Sequence, residues 1–597
     1  MSDKPKYLLD FEPIGKRVEM EAGVTILDAA REAGIEIVSV CNGAGTCGQC
    51  QVQIKNLPLD PPTLIDQEFF SEDQLASGWR LACQSVINRT LKVFTPPDSL
   101  TTPQRLQVES QIEKALAASS FAVQDIILEE FNNLESVLPP ELTTRKIQPE
   151  LIKPFKEALV QHHGRLRIVI KNETILNWTD YGKPVYGLAV DLGTTKIAAY
   201  LVDLITGHTA AKSSGMNPQI SYGEDVVNRI LFCIQNQDGQ KNLQSAVVQT
   251  LNDLSQMMCR EVGAAPRQII EAVIVGNTAM HHIFAGFPVK QLGLAPYSPA
   301  VTHAVTLPAK DFGLTFAEQC QIYFPENIAG YVGGDHVAMM IATEADTAQD
   351  TVLAIDIGTN TEVSLAHQGR IFTCSCASGP AFEGAHIKEG MRAADGAIER
   401  ILIEGDQVQF QTIGQALPLG LCGSGILDAV AELKKNNILS ERGRFDDSRP
   451  HVRGEGKSQE YVLVPAEKAG VFRDIVFTRK DVHEILLAKG AIQSGIQILL
   501  RTAKINTQDI DRVIVAGAFG SYLDLNSAMN IGMLPCLPIE KYTQVGNAAG
   551  SGARQLLISD EMRDNAKDFA QKAEYIELTS YPDFQNIYIN ALKFTCY

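Results

Sequence analysis

The sequence predicts a multidomain chain of α+β and α/β units, and three observations lead there. Four cysteines, Cys41, Cys47, Cys50 and Cys83, crowd into the first ninety-five residues. Much later, two short turns, Asp191-Leu-Gly-Thr-Thr195 and Asp356-Ile-Gly-Thr-Asn360, each follow a buried-strand run. At 597 residues the chain is also too long for one hydrophobic core. The expected boundaries are 1–95 for an N-terminal domain, 96–117 for a linker, 118–183 for a small middle domain and 184–597 for a two-lobed unit whose lobes part near 345.

In the N-terminal domain, Lys6 to Phe11 and Lys16 to Met20 read as strands joined by the turn chemistry of Pro13-Ile-Gly15. Thr25 is placed to cap a helix with Ile26, Ala29 and Ala30 at helical spacing, stopped by Gly34. The loop from Ser39 to Cys50 carries Gly43, Gly45 and Gly48 between three of the cysteines, and Cys83 follows in Leu81-Ala-Cys-Gln84. Wrapping a compact inorganic core with N–H groups aimed at its sulfurs demands positive φ at several positions, which glycine supplies. Three clustered cysteines and one distant cysteine match the ligand distribution of a [2Fe–2S] cluster. The first gap is five residues rather than the plant-type four, which resembles adrenodoxin-like and bacterial members of the β-grasp ferredoxin family. A zinc site is the alternative, but structural zinc favours two C-x2-C knuckles and Cys47/Cys50 make the one short pair here.

Thr95-Pro-Pro-Asp98 and Thr101-Thr-Pro103 read as a spacer. Residues 104–117 look helical, and 118–182 reads as amphipathic helices over Gln124 to Phe131 and Leu151 to Gln161, with a strand from Arg165 to Ile170. Pro139-Pro140, Pro149 and Pro154 are expected to cut this segment up. It carries no motif with evident chemistry.

From Pro184 the texture becomes α/β. Val185 to Val190 runs into the first Asp-x-Gly-Thr turn and returns as Ile197 to Val202, and about 165 residues later Val352 to Ile355 repeats the design. Such a tight turn holds phosphate: glycine lets backbone N–H groups approach, the hydroxyls donate, and the aspartate positions Mg²⁺ directly or through water. A third strand, Asp511 to Ala516, ends in Gly517-Ala-Phe-Gly520. In motif order this resembles the actin, Hsp70 and sugar-kinase superfamily, whose fold clamps ATP between two α/β lobes.

Val273-Ile-Val-Gly-Asn-Thr278 is a further strand running into a glycine turn, and His281-His282 after it are more economical as structural groups than as metal ligands. Leu421-Cys-Gly-Ser-Gly425 opens a helix that faces either nucleotide or a lobe interface. Alternation puts Cys374 and Cys376 on one strand face as buried thiols. Asn547 to Gly552 is too loose for a dinucleotide fingerprint.

A net charge of −18 with no basic footprint argues against nucleic acid. No run of about 18 apolar residues is present, so no membrane span is expected. The twelve cysteines, with no apolar leader before them, read as reduced thiols or metal ligands. The expectation is a soluble cytoplasmic protein.

With both halves in view, the chain resembles the reductive activators of corrinoid enzymes, ferredoxin–ATPase fusions. The resemblance rests on the C-x5-C-x2-C…C cysteines, the spacer, and Asn217-Pro-Gln-Ile-Ser-Tyr-Gly-Glu-Asp225. It extends through Val275-Gly-Asn-Thr278, Ser378-Gly-Pro-Ala-Phe-Glu-Gly384, Gly390-Met-Arg-Ala393, Cys422 to Asp428, Leu487-Ala-Lys-Gly-Ala491 and Gly517-Ala-Phe-Gly520. Thr361 stands where many relatives place glycine. A C-terminal [4Fe–4S] ferredoxin module is excluded, because Cys536 and Cys596 alone cannot ligate one.

The resemblance implies an N-terminal β-grasp [2Fe–2S] ferredoxin domain and a C-terminal two-lobed actin-like ATPase. It implies transfer of one electron from the cluster to Co(II) cobalamin in a corrinoid protein of a methyltransferase or O-demethylase system, restoring Co(I) at the expense of ATP. Asp191 and Asp356 would organise Mg²⁺ and water. Gly193, Thr194, Thr195, Gly358, Thr359 and Asn360 would hold phosphate, and Gly517 and Gly520 would face adenosine. A low-potential electron donor and a homodimer are further expectations. A redox-sensing chaperone-like ATPase and a ferredoxin-fused small-molecule kinase are the rival readings.

Overall fold

In the computed structural model the described residues are all except 1–4, 13–15, 34, 36, 38, 40–42, 47, 57, 97–98, 100–118, 129–144, 148, 224, 472, 518–519 and 521–522. The expected turn at 13–15, the stop at Gly34, the helix at 104–117, and Cys41 and Cys47 themselves lie outside the described residues.

The N-terminal domain is a five-stranded sheet in the order Lys16–Glu21, Lys6–Glu12, Leu91–Phe94, Gln51–Ile54, Trp79–Leu81. Its hairpin pairs Lys6 with Glu21 antiparallel, while Leu9 pairs parallel with Leu91. The helix Ile26–Glu32 crosses the sheet, capped by Thr25, whose hydroxyl accepts from the Asp28 N–H at 3.1 Å. Its apolar face, Ile26, Leu27, Ala29 and Ala30, joins Leu9, Phe11, Val52 and Val93 in one core.

The middle segment is a four-stranded sheet in the order Phe121–Ile127, Arg165–Lys171, Thr174–Asp180, Lys146–Ile147, with the helix Pro149–Gln161 on it. One expectation is corrected here. The stretch read as a helix from Gln124 is, through Ile127, a strand: Phe121 to Ile127 pair residue by residue with Lys171 to Arg165. Asp125 also accepts both Arg167 Nε at 2.8 Å and Nη2 at 2.7 Å across the ladder. The ladder outweighs a weak helical pattern. The helix expected over Leu151 to Gln161 forms as Pro149–Gln161 with Pro154 inside it, where burial of Phe155 and Leu159 against Ile168 holds the turn.

The two-lobed part repeats one plan. The first lobe is a six-stranded sheet ordered Thr209–Met216, Lys196–Asp203, Tyr186–Leu192, Ile269–Val275, Gln321–Phe324, Val305–Pro308. The second is ordered Tyr542–Gly546, Arg512–Ala516, Val352–Ile357, Thr361–His367, Arg370–Cys376, Ala573–Tyr575. In each, a three-stranded antiparallel meander carries the Asp-x-Gly-Thr turn, and the central strand pairs parallel with a later one. That register sets Asp191 beside Val275 and Asp356 beside Ala516. The strand runs are apolar on both faces because helices cover them.

A shared core of Ala189, Val273 and Met340 with Ile514, Val545, Ala553 and Leu557 joins the lobes. The helices Gly334–Thr343 and Ala548–Ile558 cross within it at glycine: a Cβ on Gly552 would lie 1.9 Å from Ala338 O. Cys374 and Cys376 are buried on the strand Arg370–Cys376. The expectation of reduced thiols is corrected at one pair. Cys536 and Cys596 form a disulfide with Cα atoms 5.8 Å apart, because the final segment runs back alongside, Cys536 N–H donating to Tyr597 O at 3.1 Å. No described helix is long and apolar enough to cross a membrane.

Candidate functional site: a cysteine loop and an interlobe cleft

Gly43, Gly45 and Gly48 all take positive φ, 84°, 78° and 68°, as a wrapped loop requires. A Cβ on Gly43 would lie 3.8 Å from Cys83 Cβ, so the loop and the distant cysteine meet. Gln84 Nε2 fastens them, donating to Gly43 O at 3.0 Å and to Cys83 Sγ at 3.4 Å. Cys50 and Cys83 are buried. Donor chemistry and loop shape fit an iron–sulfur group: soft thiolates in a cradle with no room for side chains at Gly45 and Gly48, where Gln84 and Phe69 stand within 3 Å of any Cβ.

The second site is a cavity of about 230 Å³ between the lobes. Both Asp-x-Gly-Thr turns line it, with Asp191, Gly193, Thr194 and Thr195 from one side and Asp356, Gly358, Thr359 and Asn360 from the other. Thr195 Oγ1 and Thr359 Oγ1 stand 3.3 Å apart across it. Both turns are tight: a Cβ on Gly193 would meet Lys196 O at 2.8 Å, and one on Gly358 would lie 3.1 Å from Asn360 O. Gly517 lines the cavity at φ 94°, where a Cβ would meet Ile357 O at 2.3 Å. Gly520 is not among the lining residues; a Cβ there would meet Ala516 O at 2.4 Å, so it serves the turn itself. Cys422, Gly423 and Ser424 open their helix onto the cleft. Thr361 fits without strain, buried at the head of its strand and sharing a hydrogen bond with Ser378 Oγ at 2.9 Å.

Sequence reasoning missed the residues that tertiary folding delivers. Asp335 and Glu362 join Asp191 and Asp356 in the cavity wall, with Lys196, Arg392 and Asn547; Asn277, in the glycine turn after Val273 to Val275, lines it as well. Burial pushes Asp191 up to about 6, against a hydrogen bond from Asn547 Nδ2 at 2.9 Å. Burial, then the charge of Asp191, pushes Asp356 up to about 7. Asp335 and Glu362 are raised by burial and then by the neighbouring carboxylates. Burial lowers Lys196, while Glu383 opposes the shift. The site thus gathers four buried carboxyl groups, each raised by desolvation, beside Lys196 and Arg392. The glycine pair Gly333-Gly334 was the missed signal for Asp335: a Cβ on Gly333 would lie 2.5 Å from Asn277 Cα, so the helix start is pressed against the first lobe's own strand–turn.

The histidines are structural. His282 Nδ1 lies 2.8 Å from Thr278 O and its Nε2 accepts the Ala300 and Val301 N–H groups. His281 Nδ1 meets Asn327 Nδ2 at 2.7 Å.

Family models match over three consecutive regions. Residues 10–88 match a 2Fe-2S iron-sulfur cluster binding domain, 186–348 the RACo middle region, and 350–596 the C-terminal domain of RACo, the ASKHA domain. The chain is 28% identical to the corrinoid activation enzyme RamQ of Eubacterium limosum over 97% of its length and 98% of that protein. It is 25% identical to the [Co(II) methylated amine-specific corrinoid protein] reductase of Methanosarcina barkeri, over 69% and 77%. A solved structure described as a reductive activator for a corrinoid, iron-sulfur protein superposes with a TM-score of 0.70 at 31% identity, covering 98% of both chains. A cysteine cradle, an ATP cleft and this end-to-end likeness together make the chain a member of the family of reductive activators of corrinoid proteins.

Proposed function

We propose that this chain takes one electron from a low-potential donor and delivers it to Co(II) in a corrinoid protein, restoring Co(I) in an ATP-dependent step. The observation that carries the reading is the pairing, on one chain, of the four-cysteine set with a cleft in which two phosphate turns face each other, their Thr195 and Thr359 hydroxyls 3.3 Å apart. The partner in this reading belongs to a methyltransferase or O-demethylase system, and the chain works as a homodimer, which sizing of the purified protein checks.

Cys41, Cys47, Cys50 and Cys83 would hold the [2Fe–2S] group, which supplies one-electron transfer when bound. In the cleft, Asp191 and Asp356 would hold Mg²⁺ and its water, with Asp335 and Glu362 adding negative charge around them. Gly193, Thr194, Thr195, Gly358, Thr359 and Asn360 hold the phosphates, and Lys196 and Arg392 balance their charge. Gly517, Ala548 and Ala549 form the wall that takes adenosine, with Gly520 shaping the turn behind it. Asp191 and Asp335 belong to one lobe and Asp356 and Glu362 to the other. Mg²⁺ held there would supply positive charge against the repulsion between carboxylates of opposite lobes, and so would favour lobe closure. Closure offers a free-energy difference to set against an unfavourable electron transfer, for which about 59 mV is a tenfold change, or roughly 1.4 kcal/mol.

The test is Asp191→Ala in the anaerobically reconstituted protein, with Co(I) absorption of an added corrinoid protein as the readout. ATP-dependent reduction is expected to vanish while the visible spectrum of the cluster is unchanged. Undiminished ATP-dependent reduction contradicts the role of Asp191, and a lost cluster spectrum contradicts the modular reading.

A further inference from the structure

The stretch Asn217 to Asp225 has no part in the chemistry above. It leaves the strand Thr209–Met216 as a tight helical turn, Pro218–Tyr222, and enters the helix Val226–Gln235. From there it grips the first phosphate turn from behind at three successive carbonyls. Asn217 Nδ2 donates to Gly193 O at 2.8 Å, Arg229 Nη2 donates to Thr194 O at 2.5 Å, and the Asn217 N–H donates to Thr195 O at 2.9 Å. Arg229 is fully buried, and its Nε and Nη1 donate to Gly223 O at 2.8 Å and Gln219 Oε1 at 3.2 Å. Fixing a carbonyl fixes its peptide plane, and with it the direction of the next N–H. The turn Pro218–Tyr222, the guanidinium and the phosphate turn therefore form one strut.

The outer end of the strut meets the cluster domain. Tyr222, backed by Phe232 with ring centres 5.0 Å apart, carries the Arg31 guanidinium over its ring at 4.8 Å. Arg31 lies in the helix Ile26–Glu32 of the cluster domain, with Nη1 donating to Asp28 at 2.9 Å. Its Nε and Nη2 are buried with no hydrogen-bond partner among the described residues. A cation over a ring is favourable, and buried guanidinium donors without acceptors are unfavourable by a comparable amount. Such a contact is poised to make and break.

We propose that Tyr222 is the seat of the cluster domain on the first lobe, and that the Asn217–Arg229 strut links docking at this seat to nucleotide in the cleft. The seated domain holds the phosphate turn ready, and bound ATP tightens the seat. The inference rests on the reading of the cleft as an ATP site.

The test titrates ATP into the full-length reconstituted chain by calorimetry, comparing wild type, Arg31→Ala, Tyr222→Ala, the double variant and Arg31→Lys. Each single alanine variant is expected to weaken ATP by about 5-fold or more, the double variant by no more than the stronger single, and Arg31→Lys to recover most of the loss. By reciprocity, ATP slows amide exchange over residues 26–32 in wild type and leaves it unchanged in Tyr222→Ala. Affinities within about twofold across the set, with every cluster spectrum intact, overturn the link and leave the ATP site standing. A wild-type chain that binds no ATP overturns the functional reading itself, and the link with it.

Discussion

At the scale of single residues, burial holds the four carboxyl groups of the cleft above the ordinary carboxylate range. Asp191 and Asp356 have folded-state values of about 6 and 7, above an unfolded carboxyl near 4. The folded protein therefore binds more protons than the unfolded chain between these values, and stability falls as pH rises through that window. Melting of the nucleotide-free protein should drop by several degrees from pH 5 to pH 8, and the rise in melting temperature on adding Mg²⁺ and ATP should be larger at pH 8. A melting temperature flat across this range contradicts the assignment. Asp191 and Asp356 were legible in the sequence because each sits at a fixed offset from a buried strand and a glycine. Asp335, Glu362 and Asn547 were not read: the one local sign for Asp335 is the glycine pair before its helix, Glu362 alternates inward on a strand, and Asn547 reaches Asp191 from 356 residues away.

At the scale of elements, glycine decides the geometry at two places. Gly552 lets the helices Ala548–Ile558 and Gly334–Thr343 touch, and the cleft-lining Asn547 and Asp335 sit at their N-terminal ends. Gly552→Val forces them apart; overpacking of this kind costs about 1–3 kcal/mol. Both a lower melting temperature and weaker ATP binding by calorimetry are expected, and a change in stability alone contradicts the link to the site. In the cluster domain, Gly48 takes φ 68° with the Phe69 ring 2.3 Å from any Cβ. Gly48→Ala should reduce iron incorporation, read as the ratio of visible to ultraviolet absorbance, with ATP affinity unchanged. Hairpins with such turns were readable because strand, glycine and hydroxyl recur in order twice. The segment from Gln124 was misread because its apolar spacing suits either period, and the partner strand that decides, Arg165–Lys171, lies some forty residues on.

At the scale of the whole molecule, two chemistries that need opposite surroundings are kept on separate domains: thiolates in a glycine loop, carboxylates in an interlobe cleft. The sequence order of these modules was readable from motifs alone. The shared interlobe core was not, since Ile514, Val545 and Leu557 return from the second lobe to pack on Ala189 and Val273 of the first. The most direct test of the central claim mixes the reconstituted chain, a low-potential reductant and a Co(II) corrinoid protein, and follows the Co(I) band with and without ATP. The account predicts Co(I) formation that depends on both ATP and the cluster; formation at the same rate without nucleotide would contradict it.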